Sequence, residues 1–254
     1  MTNATRKSAW EIDIMRQAGR IVGEGLKLLE KAVRPGVSTG DLDALFEKHV
    51  LSSGARPTFK GYRGFPASLC VSINEEVVHG IPSFDRKLKD GDIVSLDAGA
   101  TFKNYVGDAA ITVGVGKISP RAQKLIDTTR ESLEAAIAVV GPGAKLSVIA
   151  ATIQNYAESR GYAVVKKYVG HGIGQELHEP PQVPNFVQKP IDSFEFILRE
   201  GHCIAIEPMV NEGTDDVKTL SDHWTVVTLD RRLSAHFEHT IAVTKDGREV
   251  LTRV

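Results

Sequence analysis

Two carboxylates close apolar runs at matching places in the chain: Asp97 after Ile93-Val94-Ser95-Leu96, and Glu207 after Cys203-Ile204-Ala205-Ile206. Each is followed by a second acid in a strand-like stretch, Asp108 before Ala109-Ala110-Ile111 and Glu238 before His239-Thr240-Ile241. One acid at a strand end is ordinarily a solvated turn residue. Four acids in one apolar interior are different, because like charges and lost hydration both oppose their ionisation. Divalent cations resolve that conflict. Two cations bridged by carboxylates resolve it best, and such a pair is a hydrolytic centre. Histidine is the natural nitrogen donor and the acid or base of neutral pH. His79 and His171 each precede Gly-Ile, and His171 leads on to His178-Glu179. The glycines after them are expected to let backbone and substrate approach closely. His49, His202, His223, His236 and His239 stand in no distinctive context and are expected at the surface or as satisfied core residues. Gly170-His171-Gly172-Ile173-Gly174 lacks the spacing of a phosphate loop.

These residues need a framework that brings them together. Ser8 with Glu11 reads as a capping box for a helix running to about Val33, stopped by Pro35-Gly36. Ser38 or Thr39 starts a second helix that ends near Gly54. Residues 67–80 and 91–115 are rich in Val, Ile and Thr broken by glycine, and predict strands and hairpins. Ser119-Pro120 caps a third helix, and a fourth runs from about Ser147 to Arg160. Beyond Tyr162 the pattern returns to strands and turns.

The order helix–helix–strands therefore occurs twice, with matching residues. Val33, Pro35, Gly36 and Gly54 answer Val140, Pro142, Gly143 and Gly161 at one constant offset. His79-Gly80-Ile81 answers His171-Gly172-Ile173, the run ending at Asp97 answers that ending at Glu207, and Asp108 answers Glu238. A duplicated helix–helix–strand unit packed as pseudo-twofold partners around one antiparallel sheet system accounts for all four matches. It predicts an α/β (α+β) chain with a short polar N-terminal arm, residues 1–9, and one catalytic domain, residues 10–254. The halves of that domain cover about 10–118 and 119–250.

Composition narrows the function classes. With 31 Lys+Arg against 32 Asp+Glu, the formal net charge is -1. There is no electrostatic footprint for nucleic acid or a membrane surface. No apolar run approaches the roughly 18 residues of a membrane span. The polar start lacks a signal core, and Cys70 and Cys203 are too few for a disulfide scaffold, so a cytoplasmic setting is expected.

The motifs together resemble the type I methionine aminopeptidases, the bacterial form without an N-terminal zinc-binding extension. They are His79-Gly80-Ile81-Pro82, Ser95-Leu96-Asp97-Ala98-Gly99, Gly107-Asp108, Gly170-His171-Gly172-Ile173-Gly174, His178-Glu179, Ile206-Glu207-Pro208-Met209, Trp224-Thr225 and Phe237-Glu238-His239-Thr240. The resemblance implies the pita-bread fold, two divalent metal ions (Co²⁺, Mn²⁺ or Fe²⁺), and Asp97, Asp108, His171, Glu207 and Glu238 as their ligands. Asp108 and Glu238 would bridge the ions, Asp97 would chelate one, and His171 and Glu207 would hold the other. It also implies Glu207 as general base, His178 as a stabiliser of the developing oxyanion, and His79 as a hydrogen-bond partner of the substrate amide. The substrate implied is the N-terminus of a nascent protein, met near the ribosome by a monomer.

A methionine pocket should be apolar and adaptable. Phe59, Tyr62, Phe65, Cys70, Leu177 and Trp224 are the residues expected to line it, with Gly61 and Gly64 shaping a loop of exposed aromatics. Phe59, Leu177 and Ala109-Ala110 depart from the usual family pattern, but none removes a ligand. Relatives that cleave beside proline, or act on creatine-like substrates, generally carry a large N-terminal domain, and the short polar arm before Trp10 is expected to count against them. A binding protein that had lost its metals would have lost a ligand. The 28 residues between His178 and Glu207 favour type I over type II.

Overall fold

The capping box at Ser8 forms as predicted: the Glu11 amide donates to the Ser8 hydroxyl, and the Ser8 amide donates to the Glu11 carboxylate at 2.7 Å. In the computed structural model, which describes residues 4–187 and 195–254, this opens α1 (Ala9–Ala32), followed by α2 (Thr39–Ser52) on its Ser38 cap. Next come β1 (Arg56–Pro57), β2 (Leu69–Ile73), β3 (Glu76–Val78), β4 (Ile93–Phe102) and β5 (Tyr105–Gly114). Ser119 caps α3 (Pro120–Ala138), with proline in its first turn. Helix α4 (Leu146–Glu158) has no side-chain cap, because Lys145 occupies the N-cap position and carries no acceptor; Ser147 lies inside the first turn and donates its hydroxyl to Glu195. The remainder is strands: β6 (Ala163–Val164), β7 (Gly170–Gly172), β8 (Glu179–Val183), β9 (Cys203–Ile206), β10 (Met209–Asn211), β11 (Val217–Thr219), β12 (Val226–Thr228), β13 (Ser234–His236), β14 (Glu238–Thr244) and β15 (Gly247–Val250).

The main sheet runs β1-β4-β5-β14-β9-β7-β8, with β2 also paired to β4 and β15 to β14. All of its pairings are antiparallel. The order is symmetric about the β5–β14 seam, where β5, β4 and β2 are answered by β14, β9 and β7. That symmetry is the expected duplication, refined at one place. Ser72 of β2 faces Ser95, two residues before Asp97, and His171 of β7 faces Ala205, two residues before Glu207. The counterpart of His171 is therefore Ser72. His79 lies beyond the β2–β3 hairpin and only shares the Gly-Ile that follows.

Alternation along the strands separates core from site. Leu96, Ala98 and Ala109 pack with Leu26 of α1 and Leu42 and Phe46 of α2. Ile204, Ile206 and Ile241 do the same with Leu125 and Leu133 of α3 and Ile149 and Ile153 of α4. The two helix pairs cover one face, and the acids at intervening positions turn to the other. Helix α1 meets β5 at two glycines: a Cβ on Gly107 would lie 2.6 Å from the Gly19 nitrogen. Among the described residues, no helix is long and apolar enough to cross a membrane.

The N-terminal arm is polar, but it is not simply solvated. Lys7 is buried, its amide donates to the Gly201 carbonyl at 2.6 Å, and its ammonium donates to Glu179 Oε2 at 2.5 Å.

Candidate metal centre

The strand registers alone bring the acids together. Ala110 faces Asp97 on β4 and Glu238 on β14, so the two acids flank a residue with only a methyl group. Directly opposed side chains share a face of the sheet. Asp108, two residues before Ala110, lies on that face as well. Ile206 faces His239, which sets Glu207 level with Glu238. His171 faces Ala205, two residues before Glu207.

His171 Nε2 lies 3.8 Å from Asp108 Oδ2, 3.6 Å from Glu207 Oε1 and 4.0 Å from Glu238 Oε1. Its Nδ1 is 2.9 Å from the Gly172 carbonyl. A carbonyl only accepts, so Nδ1 carries the proton and Nε2 offers its lone pair to the acids. Such separations suit donors that share one ion at bonds of about 2.1 Å. Asp97 Oδ1, Asp108 Oδ1 and Glu238 Oε1 are buried with no hydrogen-bond partner. Buried polar atoms are almost always paired, so this donor set fits cations. One nitrogen among carboxylate oxygens suits Mn²⁺, Fe²⁺ or Co²⁺. The backbone beneath is pinned by Thr240, whose hydroxyl donates to the Asp108 carbonyl at 2.7 Å and accepts from the Asp108 amide at 3.0 Å.

Burial raises every acid of the cluster. The Asp97 carboxyl is pushed up to about 7 and Glu207 to about 8 by desolvation. Desolvation and then neighbouring carboxylates hold Asp108 and Glu238 well above the usual carboxylate range. The same burial pushes His171 down to about 3 and His79 to about 4, and lowers His178 with a further contribution from Arg63. His171 is thus neutral at physiological pH, as a metal ligand requires.

The cluster lines a cavity of about 390 Å³. All thirteen residues singled out from the sequence line it: the four acids and one histidine of the cluster, His79, His178, and the six expected pocket residues. The Tyr62 hydroxyl is 2.7 Å from His178 Nδ1, and the His178 ring centroid is 4.3 Å from that of His171. His79 meets Trp224 and Tyr168 edge-on at 6.1 and 5.7 Å, and Trp224 meets Phe65 at 5.1 Å. Cys70 faces Asp97 across the β2–β4 ladder. His79 has a φ of 60°, a left-handed conformation that is costly for a side-chain-bearing residue and recurs at functional sites.

The sequence signature of metallopeptidase family M24 matches residues 13–245. The chain belongs to this family. It is 53% identical to the methionine aminopeptidase of Clostridium acetobutylicum over 97% of both chains. Against methionine aminopeptidase 1 of Bacillus subtilis it is 51% identical over 98% of both. The crystal structure of a methionine aminopeptidase from Thermotoga maritima matches with a TM-score of 0.95 and 43% identity, covering 99% of this chain and 100% of that one. The prolidase from Pyrococcus horikoshii shares the fold alone, with a TM-score of 0.78 at 24% identity over 63% of its longer chain. The pita-bread fold expected from the motifs is therefore the fold observed.

Several residues of this M24 chain play parts that their sequence context did not suggest. A Cβ on Gly80 would lie 2.1 Å from the Val71 carbonyl oxygen, and one on Gly172 would lie 2.2 Å from that of Pro180. These glycines serve packing between strands rather than substrate approach. Phe59 and Phe65 are buried, Phe59 against Gly99, so the loop at 59–65 turns these aromatics inward instead of exposing them. Arg63, Lys167, Tyr168 and Gln182 also line the cavity, and no motif marks them. Of the five histidines without distinctive context, His49, His202 and His239 are hydrogen-bonded and His223 is exposed, as expected. His236 is the exception. It is 1% exposed, neither ring nitrogen has a partner, and Nε2 lies 3.6 Å from Glu207 Oε2.

Proposed function

We propose that this chain is a methionine aminopeptidase, removing the initiator methionine from peptides and new proteins when the second residue is small. The observation that carries the reading is a single cavity lined by both kinds of residue. A cluster of four raised acids with neutral His171 shares it with an apolar wall of Phe59, Phe65, Cys70, Leu177 and Trp224. A flexible thioether side chain suits such a wall.

Asp97, Asp108, His171, Glu207 and Glu238 are the residues to hold two divalent ions, Co²⁺, Mn²⁺ or Fe²⁺. Asp108 and Glu238, at the middle of the cluster, would serve both ions, with Asp97, His171 and Glu207 completing the donor set. Such ions supply an acidified water and charge stabilisation for hydrolysis. The chain's own residues do the rest. The free α-amine of the substrate is drawn to the acidic cluster near Asp97 and Asp108, which an internal peptide bond cannot exploit. Glu207 takes the proton of the attacking water. Tyr62 donates to Nδ1 of His178, so Nε2 keeps its proton and donates to the oxygen that gains charge. His79, walled by Trp224 and Tyr168, hydrogen-bonds the scissile amide. On this reading the enzyme acts as a monomer, on nascent chains in the cytoplasm near the ribosome.

Assaying free methionine released from Met-Ala-Ser tests the reading. Release is expected with Mn²⁺ or Co²⁺ and is abolished by chelation. No release at saturating metal, or equal cleavage of the N-acetylated peptide, overturns it.

A further inference from the structure

His236 is buried to 1% exposure, and neither ring nitrogen has a hydrogen-bond partner. A satisfied core histidine would bond at least one of them. Its backbone is fixed from two directions. In the β10–β13 ladder it faces Met209, two residues after Glu207. The Thr112 hydroxyl accepts from its amide at 2.9 Å and donates to its carbonyl at 2.8 Å. Ser95 meets that hydroxyl in turn at 2.8 Å, tying the arrangement to β4 two residues before Asp97. The backbone is thus held in place while the bonding capacity of the buried ring is unspent.

Glu207 is shared between two histidines. Its Oε1 lies 3.6 Å from His171 Nε2, and its Oε2 lies 3.6 Å from His236 Nε2. Its main chain is held from another side, where Asn185 donates to the Glu207 carbonyl at 3.0 Å. With Oε1 turned to the cluster, the orientation of the carboxylate depends on what meets Oε2. We infer that His236 is a positioning residue for Glu207: its Nε2–H donates to Oε2 and fixes the plane in which Oε1 faces the metals and the attacking water. Closing the 3.6 Å separation to hydrogen-bond length is the one adjustment this requires. The inference rests on the reading of Glu207 as ligand and base. Outer partners of this kind orient ligands, and their loss typically costs 10- to 100-fold in metal affinity or activity.

The test compares His236→Gln with His236→Met in the full chain. The two side chains are alike in length, but only glutamine can donate a hydrogen bond. The metal-free proteins are titrated calorimetrically with Mn²⁺, and kcat and KM are measured on Met-Ala-Ser. The methionine variant is expected to lose about 10- to 100-fold in Mn²⁺ affinity or kcat, with KM unchanged, and the glutamine variant to recover most of that loss. Equal behaviour of the two variants overturns the inference, whether both match the parent or both fail. If the parent releases no methionine, the substrate reading fails on its own, and the Mn²⁺ titration still decides the role of His236.

Discussion

The Tyr62 hydroxyl lies 2.7 Å from Nδ1 of His178, with the two rings stacked at a tilt of 33° and 5.4 Å between centroids. On the proposed reading Tyr62 does more than line the cavity: by donating to Nδ1 it leaves the proton of His178 on Nε2. Tyr62→Phe keeps the apolar ring and removes the selection. The variant is expected to lose about tenfold in kcat, the worth of one hydrogen bond near 1.4 kcal/mol, with KM little changed. A loss in KM alone would assign Tyr62 to substrate packing instead.

Removing the metal should reverse the usual dependence of stability on pH. The four acids have raised values in the folded, metal-free protein, Glu207 reaching about 8. The folded state therefore binds more protons than the unfolded chain, and stability falls as pH rises between the ordinary carboxylate range and those raised values. The midpoint of thermal unfolding of metal-free protein is expected to drop from about pH 5 to about pH 8. Added Mn²⁺ should stabilise most at the upper end, where protons no longer compete for its ligands. Scanning calorimetry with and without chelator reads both trends. A metal-free protein that gains stability over this range contradicts the raised acids.

The sequence makes the five cluster residues legible because each acid ends or opens an apolar run and each half repeats the pattern. What it leaves hidden depends on cross-strand register. Ser72 rather than His79 answers His171 because the β2–β4 and β7–β9 ladders say so, and no one-dimensional match contains that information. His236 is unmarked because its importance comes from what its ring fails to touch. The inward turn of Phe59 depends on Gly99, forty residues away on β4. Helix boundaries were readable because caps are local: the hydroxyls of Ser8, Ser38 and Ser119 all accept as expected, whereas the fourth helix has no such cap and starts one residue before the expected serine.

Lys7 ties the arm to the loop that carries His178, through Glu179. Both side chains are largely buried, at 5% and 14% exposure. Breaking such a pair costs about 3 kcal/mol because one charge is left unpaired, whereas replacing both partners costs much less. Lys7→Met is therefore expected to lower the unfolding midpoint and kcat, and adding Glu179→Gln to recover part of each. Additive losses in this double-mutant cycle would show that the contact contributes nothing.

Ala110 keeps space open between Asp97 and Glu238, which it faces on either side. Ala110→Val adds two methyl groups to a position that is 1% exposed. Overpacking of this kind typically costs about 1–3 kcal/mol. The fold should survive while metal binding fails. Circular dichroism like that of the parent, together with loss of the Mn²⁺ isotherm, is the expected result; an unchanged isotherm would show that the row is not where metal binds.

Substrate choice at the second residue follows from the rings around the scissile bond. On the proposed reading, methionine occupies the apolar wall and the next side chain lies between His79 and His178. His178 is backed by His171 at 4.3 Å and tied to Tyr62, while His79 is braced by Trp224 and Tyr168 and held in a left-handed backbone. Rings packed this closely do not retreat cheaply, because interiors are dense and extra atoms force neighbours out of their rotamers. Gly, Ala, Ser, Thr, Pro, Val and Cys should be accepted, and Leu, Lys, Glu and Phe should be poor. The lysine case is informative, since Arg63 and Lys167 at the same cavity repel a second cation as well. A series Met-Xaa-Gly-Gly separates size from charge: glutamate escapes that repulsion but meets the same walls. If size governs, kcat/KM for Xaa = Glu falls with Lys, far below Ala. Comparable values for Ala and Lys would mean that the cavity does not measure the second side chain, and the assignment of its substrate to initiator methionine would lose its main physical support.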